Sequence, residues 1–112
     1  MEVSYLQKKK VLEAYFDRTA FAAWDRLTSE LPVSWVRARV REGRKNTKNA
    51  MLSILPENLS GFRILDAGCG TGQLAFDLAS RGASVIGVDV SEKLIALASE
   101  RCPKELVSKI SF

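Results

Sequence analysis

Hydrophobic residues follow two different rhythms along this chain. Through the first half they recur every three to four positions, as amphipathic helices require. From residue 59 onward short apolar runs alternate with helical stretches, the pattern of strand–helix–strand units. Leu6, Lys10, Glu13 and Asp17 mark a polar-rich first helix, whose apolar positions are Val11, Leu12, Tyr15 and Phe16. Phe21 and Trp24 lie three apart and share a face of a short second helix. Pro32, after Leu31, suits the first position of a third helix. Its stripe runs Val36, Val40, Gly43, Thr47, Ala50, Met51 and Ile54. On that stripe Gly43 costs about 1 kcal/mol against alanine, and close packing against another element is its expected use. Pro56 ends the helix, and residues 57–61 turn into a strand at 62–66. Leu74, Ala75, Leu78 and Ala79 form the apolar face of the next helix, capped by Gly82. A second strand covers 84–89. Leu94, Ile95, Leu97 and Ala98 face inward on a further helix, which Pro103 ends. A third strand begins at 109–112.

The junction after the first strand carries the chemistry. Residues 64–72 read Ile-Leu-Asp-Ala-Gly-Cys-Gly-Thr-Gly, and a helical stretch opens at Gln73. Glycines let main-chain N–H groups approach a ligand closely, and at a helix start such groups form an electropositive cradle. A dinucleotide-binding loop spaces its glycines G-x-G-x-x-G. Here the third glycine comes one residue early, and Asp66 stands two residues before the first. An acid there repels a pyrophosphate and suits a ligand bearing positive charge, such as the amino group and sulfonium of S-adenosylmethionine. Asp89 ends the second strand, where an acid accepts hydrogen bonds from ribose hydroxyls. Asp66, Gly68, Cys69, Gly70, Gly72 and Asp89 are therefore the candidate cofactor-binding residues. They resemble the cofactor site of the Rossmann-like S-adenosylmethionine-dependent methyltransferases. For Cys69, small size matters more than the thiol.

The fold class expected is α/β: the N-terminal part of a doubly wound Rossmann-like sheet preceded by a helical arm. The arm is assigned to residues 1–58 and the first half of the cofactor-binding domain to 59–112. A complete doubly wound sheet needs more chain than 112 residues provide, so a fragment of a longer protein is expected. Composition is 46% hydrophobic and 27% charged, as in soluble globular proteins. No apolar run is long enough for a membrane span, and no signal peptide is recognisable. Two cysteines without a secretory signal suit a reducing cytoplasm. They form no metal-ligand pattern, and histidine is absent.

Charge divides the chain. Residues 1–60 hold 11 Lys and Arg against 7 Asp and Glu, whereas residues 61–112 hold 6 of each. The excess is densest between Arg37 and Lys48, which carries Arg37, Arg39, Arg41, Arg44, Lys45 and Lys48 against Glu42 alone. Such a stripe attracts an acidic ligand or an anionic surface; a solvated helix face is the plainer alternative. No interleaved aromatics support nucleic-acid stacking, so nucleic acid is not an expected partner.

Tyr15-Phe16-Asp17-Arg18-Thr19-Ala20-Phe21, Trp24, Val36-Arg37 and Val40-Arg41-Glu42-Gly43-Arg44, followed by the glycine loop, resemble the magnesium-protoporphyrin IX O-methyltransferases. The resemblance is to the bacterial, bacteriochlorophyll-forming branch and covers nearly the whole chain. The glycine loop is shared by many methyltransferase families. The aromatic and arginine-rich segments are more specific, because cofactor binding does not need them. The resemblance implies methyl transfer to a propionate of Mg-protoporphyrin in chlorophyll or bacteriochlorophyll synthesis, with magnesium chelatase as a functional partner. A cytoplasmic location is expected from the cysteines and the lack of a signal, with peripheral membrane contact left open.

An ionised propionate needs no strong base, so catalysis rests on alignment and exclusion of water. A flat apolar porphyrin asks for aromatic walls, for which Tyr15, Phe16, Phe21 and Trp24 are candidates. Of these only Tyr15 is a candidate catalytic group. Its carboxylates ask for cations, and Arg37, Arg41 or Arg44 meets a propionate bidentately. The residues leave two alternatives open: a methyltransferase for another small acid or amine, and a nucleotide-binding module without catalysis.

Overall fold

A computed structural model of the chain describes residues 4–112. Helix α1, Tyr5–Ala14, opens on a reciprocal cap in which the Ser4 hydroxyl accepts from the Gln7 N–H and the Gln7 side chain accepts from the Ser4 N–H. The expected single helix through Asp17 is interrupted. Tyr15–Thr19 form a wider π-helical turn, closed by the Ala20 N–H donating to the Tyr15 carbonyl at 2.8 Å. Helices α2 (Phe21–Thr28) and α3 (Trp35–Ser53) follow. Helix α3 starts three residues later than Pro32 suggests. Ser34 is its N-cap, with its hydroxyl accepting from the Arg37 N–H, and a serine hydroxyl satisfies an end donor that proline cannot.

Strands β1 (Arg63–Ala67), β2 (Ser84–Val88) and β3 (Ile110–Ser111) form one parallel sheet in the order β1-β2-β3. Arg63 pairs with Ser84 and Ala67 with Val88; Val85 pairs with Ile110. Parallel neighbours need crossovers, and α4 (Gln73–Ser80) and α5 (Glu92–Arg101) supply them. Gly82 ends α4 as expected. Its N–H donates to the Ala79 carbonyl and the Ala83 N–H to the Leu78 carbonyl, the paired bonds of a Schellman ending.

The core is small and lies against the sheet. Leu59, Ala75, Leu78, Ala79, Ala83 and Val85 are buried, joined by Leu106 and by Leu52 from the last turn of α3. Arg81 fixes that junction by donating to the Leu52 carbonyl at 2.7 Å. The rest of α3 reverses the expected orientation. Val36, Val40, Met51 and Ile54 of the apolar stripe are exposed, and an added Cβ at Gly43 would meet nothing within 4 Å. The basic positions turn inward instead: Arg41 toward α2, Arg44 onto Trp24, and Lys48 into an ion pair with Asp77 of α4.

Candidate functional site

Strand β1 delivers Asp66 to the carboxyl edge of the sheet, and β2 delivers Asp89 beside it. This is the edge at which parallel α/β sheets bind ligands. Between them the chain must reverse into α4 within five residues. Gly68 adopts φ +77°, a left-handed conformation natural to glycine. Gly72 is the N-cap of α4 at φ +89°, and a Cβ there would meet the Phe76 and Phe112 rings at about 3 Å.

The expected cradle of free N–H groups is not what forms. Gly68 and Cys69 both donate to the Val88 carbonyl, at 2.8 and 2.9 Å, and Gly72 donates to the Cys69 carbonyl at 3.0 Å. Gly70 donates to the Asp89 carboxylate at 2.9 Å. The amides of Gly68, Cys69, Gly70 and Gly72 are thus spent on shaping the loop and not on a phosphate nest, which agrees with the acid-first spacing. Asp89 also accepts from the Ser91 N–H at 3.0 Å. A carboxylate has about four acceptor sites, so capacity for a ribose diol remains.

Asp66 is differently placed. Its Oδ2 is shielded from solvent and accepts no hydrogen bond. Burial first, and the charge of Asp89 second, push its carboxyl above the usual range. An orphaned carboxylate oxygen is costly unless something outside the chain satisfies it. Cys69 is buried between the two acids, and its thiol is pushed up to about 12 by burial and then by Asp66 and Asp89. It stays protonated and is not a nucleophile.

The helical arm closes over this edge. Trp24 approaches Gly70, where an added Cβ would stand 3.3 Å from the indole Nε1. That Nε1 is also buried without an acceptor. Arg44 lies over the same ring, its Cζ 4.4 Å from the centroid, and burial lowers its pKa. Phe16 meets Trp24 edge to face at 6.3 Å. One cavity of about 700 Å³ is lined by Phe16, Trp24, Arg44, Gly70 and Asp89. A second, about 760 Å³, is lined by Arg44, Gly43, Met51, Asp66 and Gly68. Arg44 borders both.

The three candidate arginines separate. Arg41 lines the second cavity, but its guanidinium donates to the Leu27, Arg26 and Leu31 carbonyls at 2.7–2.9 Å and so fixes the end of α2. Arg37 lies by Arg26 and Pro32, away from the glycine loop. Only Arg44 faces the two acids with its charge uncommitted to a hydrogen bond. Tyr15 packs edge-on to Phe16 at 5.2 Å and is half exposed; it does not line either cavity. Sequence patterns gave no sign of the bolts that hold α2 here. Gln73 at the start of α4 donates to the Thr28 carbonyl at 3.0 Å. Arg101 at the end of α5 donates to the Thr28 hydroxyl at 2.9 Å and pairs with Asp25.

Residues 64–112 match the methyltransferase domain family. Over its full length the chain is 50% identical to a magnesium-protoporphyrin O-methyltransferase of Rhodobacter capsulatus, covering 50% of that protein. It is 36% identical to the chloroplastic magnesium protoporphyrin IX methyltransferase of Arabidopsis thaliana, over 90% of this chain and 33% of that one. Crystal structures of magnesium protoporphyrin IX methyltransferase from Synechocystis PCC 6803 superpose on it. The form with bound SAM has a TM-score of 0.87 at 31% identity, covering 99% of this chain and 55% of that one. The form with bound SAH has a TM-score of 0.85 at 32% identity, covering 93% and 49%. The chain spans about half the length of the bacterial relative.

Proposed function

We propose that the chain is part of a Rossmann-like S-adenosylmethionine-dependent methyltransferase, and that the whole protein methylates a propionate carboxylate of Mg-protoporphyrin IX in (bacterio)chlorophyll biosynthesis. S-adenosylmethionine is the methyl donor in this reading; when bound, it supplies an electrophilic methyl group on a sulfonium. The carrying observation is the pairing across one cavity of an orphaned acid, Asp66, with a cation, Arg44, held over the Trp24 ring. Asp66 is the acceptor for the donor's ammonium group, which restores the hydrogen bonds that its buried oxygen lacks. Asp89 takes the ribose hydroxyls while keeping Gly70 in place. Gly68, Cys69, Gly70 and Gly72 leave room for the ligand because they carry small side chains or none.

The acceptor carboxylate is already ionised at neutral pH. The chain's task is to orient it and exclude water. Arg44 meets it as a fixed cation, held flat by Trp24. Phe16 and Trp24 wall the adjoining cavity on the Asp89 side. Arg37 and Arg41 serve the structure of the arm and leave the propionate to Arg44. Tyr15 supports Phe16 from behind.

Handover of substrate from a magnesium chelatase and peripheral contact with a membrane belong to the same reading. The positive charge of residues 1–60 supports the second. No helix among the described residues is long and apolar enough to cross a membrane.

The test is methyl transfer by the whole protein from labelled S-adenosylmethionine to Mg-protoporphyrin, with metal-free protoporphyrin as control. A monoester from the magnesium form, reduced in Arg44→Met, is the expected result. No ester from either porphyrin overturns the reading. An ester on another small acid or amine would move the assignment to a different acceptor.

A further inference from the structure

We propose that Gly43 is a specificity-determining position: its bare backbone is the floor on which a planar macrocyclic acceptor lies. The inference rests on the acceptor reading above and adds the place where the ring packs. Gly43 stands in the interior of α3, where glycine weakens a helix relative to alanine. No contact among the described residues repays that weakness. A Cβ at Gly43 would meet no atom within 4 Å beyond its own stretch of helix backbone, so none of the described elements demands the small residue.

The open space is not featureless solvent. Gly43 lines the 760 Å³ cavity together with Arg44, Met51, Asp66 and Gly68, facing the edge where the donor is expected. Val36, Val40, Gly43 and Thr47 are spaced four, three and four apart and so share one helix face. Val36 and Val40 are exposed on that face. The Thr47 hydroxyl returns to the Gly43 carbonyl at 3.0 Å, which leaves the face without a free polar group. The neighbouring face presents Arg44. A flat apolar ring with carboxylates at its rim matches this junction. The ring lies against the bare backbone of Gly43, and a rim carboxylate reaches Arg44. A side chain at 43 would lift the ring away from the helix and carry its carboxylate out of reach.

The experiment uses the whole protein with Gly43→Ala and Gly43→Leu. Calorimetry with S-adenosylmethionine should give affinities within about twofold of wild type, while KM for Mg-protoporphyrin rises with side-chain size, by about tenfold or more for leucine. Thermal melts of the unliganded protein should show Gly43→Ala at or above wild type, because alanine favours the helix and meets no obstacle. Two results overturn the proposal: an unchanged KM in Gly43→Leu, or a lower Tm in Gly43→Ala, which would show another part of the protein packed on this glycine. Wild-type protein that methylates Mg-protoporphyrin while both variants match it refutes the role of Gly43 and leaves the acceptor reading intact. Wild-type protein without that activity refutes the acceptor reading itself.

Discussion

Residues 59–112 and residues 5–51 are held in place by different means. The first segment buries Leu59, Ala75, Leu78, Ala79, Ala83 and Val85 in one apolar cluster against the sheet. The second contributes no residue to that cluster; its Tyr5, Leu6, Val11, Trp35 and Val40 are exposed. It is fastened by polar side chains at four points: Asp17 to the start of α5, Asp25 and Thr28 to Arg101 at its end, Thr28 to Gln73, and Lys48 to Asp77. Burial of apolar area is non-directional and cooperative. Hydrogen bonds and exposed ion pairs are directional and individually modest. The sheet segment is therefore the frame, and the arm is an attachment aimed at one spot. The spot is the glycine loop, where Trp24 and Arg44 arrive opposite Asp66.

The largest expected effect tests that division directly. Leu59→Ala, at a fully buried position, should lower the stability of the whole protein by about 2–5 kcal/mol. Leu6→Ala and Val11→Ala, at positions 65% and 68% exposed, should stay within about 0.5 kcal/mol of wild type. Urea denaturation of the three variants measures the contrast. Comparable losses would mean that the arm carries as much of the core as the sheet does.

Asp66→Asn separates stability from ligand binding. Replacing the carboxylate removes a charge-assisted hydrogen bond to the donor's ammonium group, so S-adenosylmethionine affinity should fall by about 10–100-fold. Stability without ligand should hold or rise. Burial raises the Asp66 pKa in the folded protein, so the folded state holds this proton more tightly than the unfolded chain. The resulting cost is absent below the ordinary carboxyl pKa. It develops as pH rises through the raised one and is fully present above it. Wild type should therefore lose, relative to Asp66→Asn, stability over that window, while its donor affinity improves over the same window. Paired thermal melts and calorimetry between mildly acidic and neutral pH would show both trends, and parallel pH profiles for the two proteins would sink the assignment.

Arg101→Met asks whether the arm can be loosened without harm to the frame. The pair with Asp25 is partly exposed, with side chains 25% and 42% accessible, so the global cost should be near 1 kcal/mol. The local effect should be larger in function than in stability. Helix α2 loses its anchor, Trp24 leaves Gly70, and KM for the acceptor rises while S-adenosylmethionine affinity changes little. The Trp24 contribution to the emission, isolated by difference against a Trp24→Phe control, should shift to the red in Arg101→Met. Unchanged emission and KM would place the anchoring elsewhere.

The sheet segment was legible in the sequence because its determinants are local. Apolar runs of strand length, the left-handed glycines and the Gly82 cap each dictate their own geometry, and β1, α4, β2 and α5 lie where the pattern puts them. The arm was legible as helices but not in its orientation. A period of 3.6 shows that Val36, Val40 and Met51 share a face; it does not show which face meets the rest of the chain. Inside these residues the polar face won, because Arg41, Arg44 and Lys48 found carbonyls, an indole ring and a carboxylate. Partners 15 to 76 residues away in sequence, such as Arg26 for Arg41 and Asp25 for Arg101, leave no periodic trace. Asp66 was a candidate from the spacing of the loop and Asp89 from its place at the end of the second strand, whereas the spending of the loop amides on Val88 and Asp89 depends on strand register and could not be read in advance.

The smallest effect sits at the π-helical turn and bears on how the arm attaches. Widening the helix at Tyr15–Thr19 carries Asp17 to the N-terminus of α5. There its Oδ1 accepts from the Ser91 hydroxyl and from the Lys93 N–H. Ser91 in turn caps α5 by accepting from the Leu94 N–H at 3.2 Å. Helix α5 therefore has two caps in series, one from its own sequence and one lent by the arm. A carboxylate at a helix start is favoured by the unsatisfied N–H groups and the dipole, by about 0.3–1 kcal/mol near a surface. Loss of a serine cap costs about 1 kcal/mol. Asp17→Ala should then destabilise the protein slightly, and Ser91→Ala somewhat more, because Ser91 is fully buried and its loss takes a bond from Asp17 and leaves the Leu94 N–H without its cap. The Asp17 carboxylate and the Ser91 hydroxyl form one chain of bonds, so the double variant should cost less than the two single variants added together. Full additivity in that cycle would mean that Asp17 and Ser91 act independently, and that the arm is not fastened through the cap of α5.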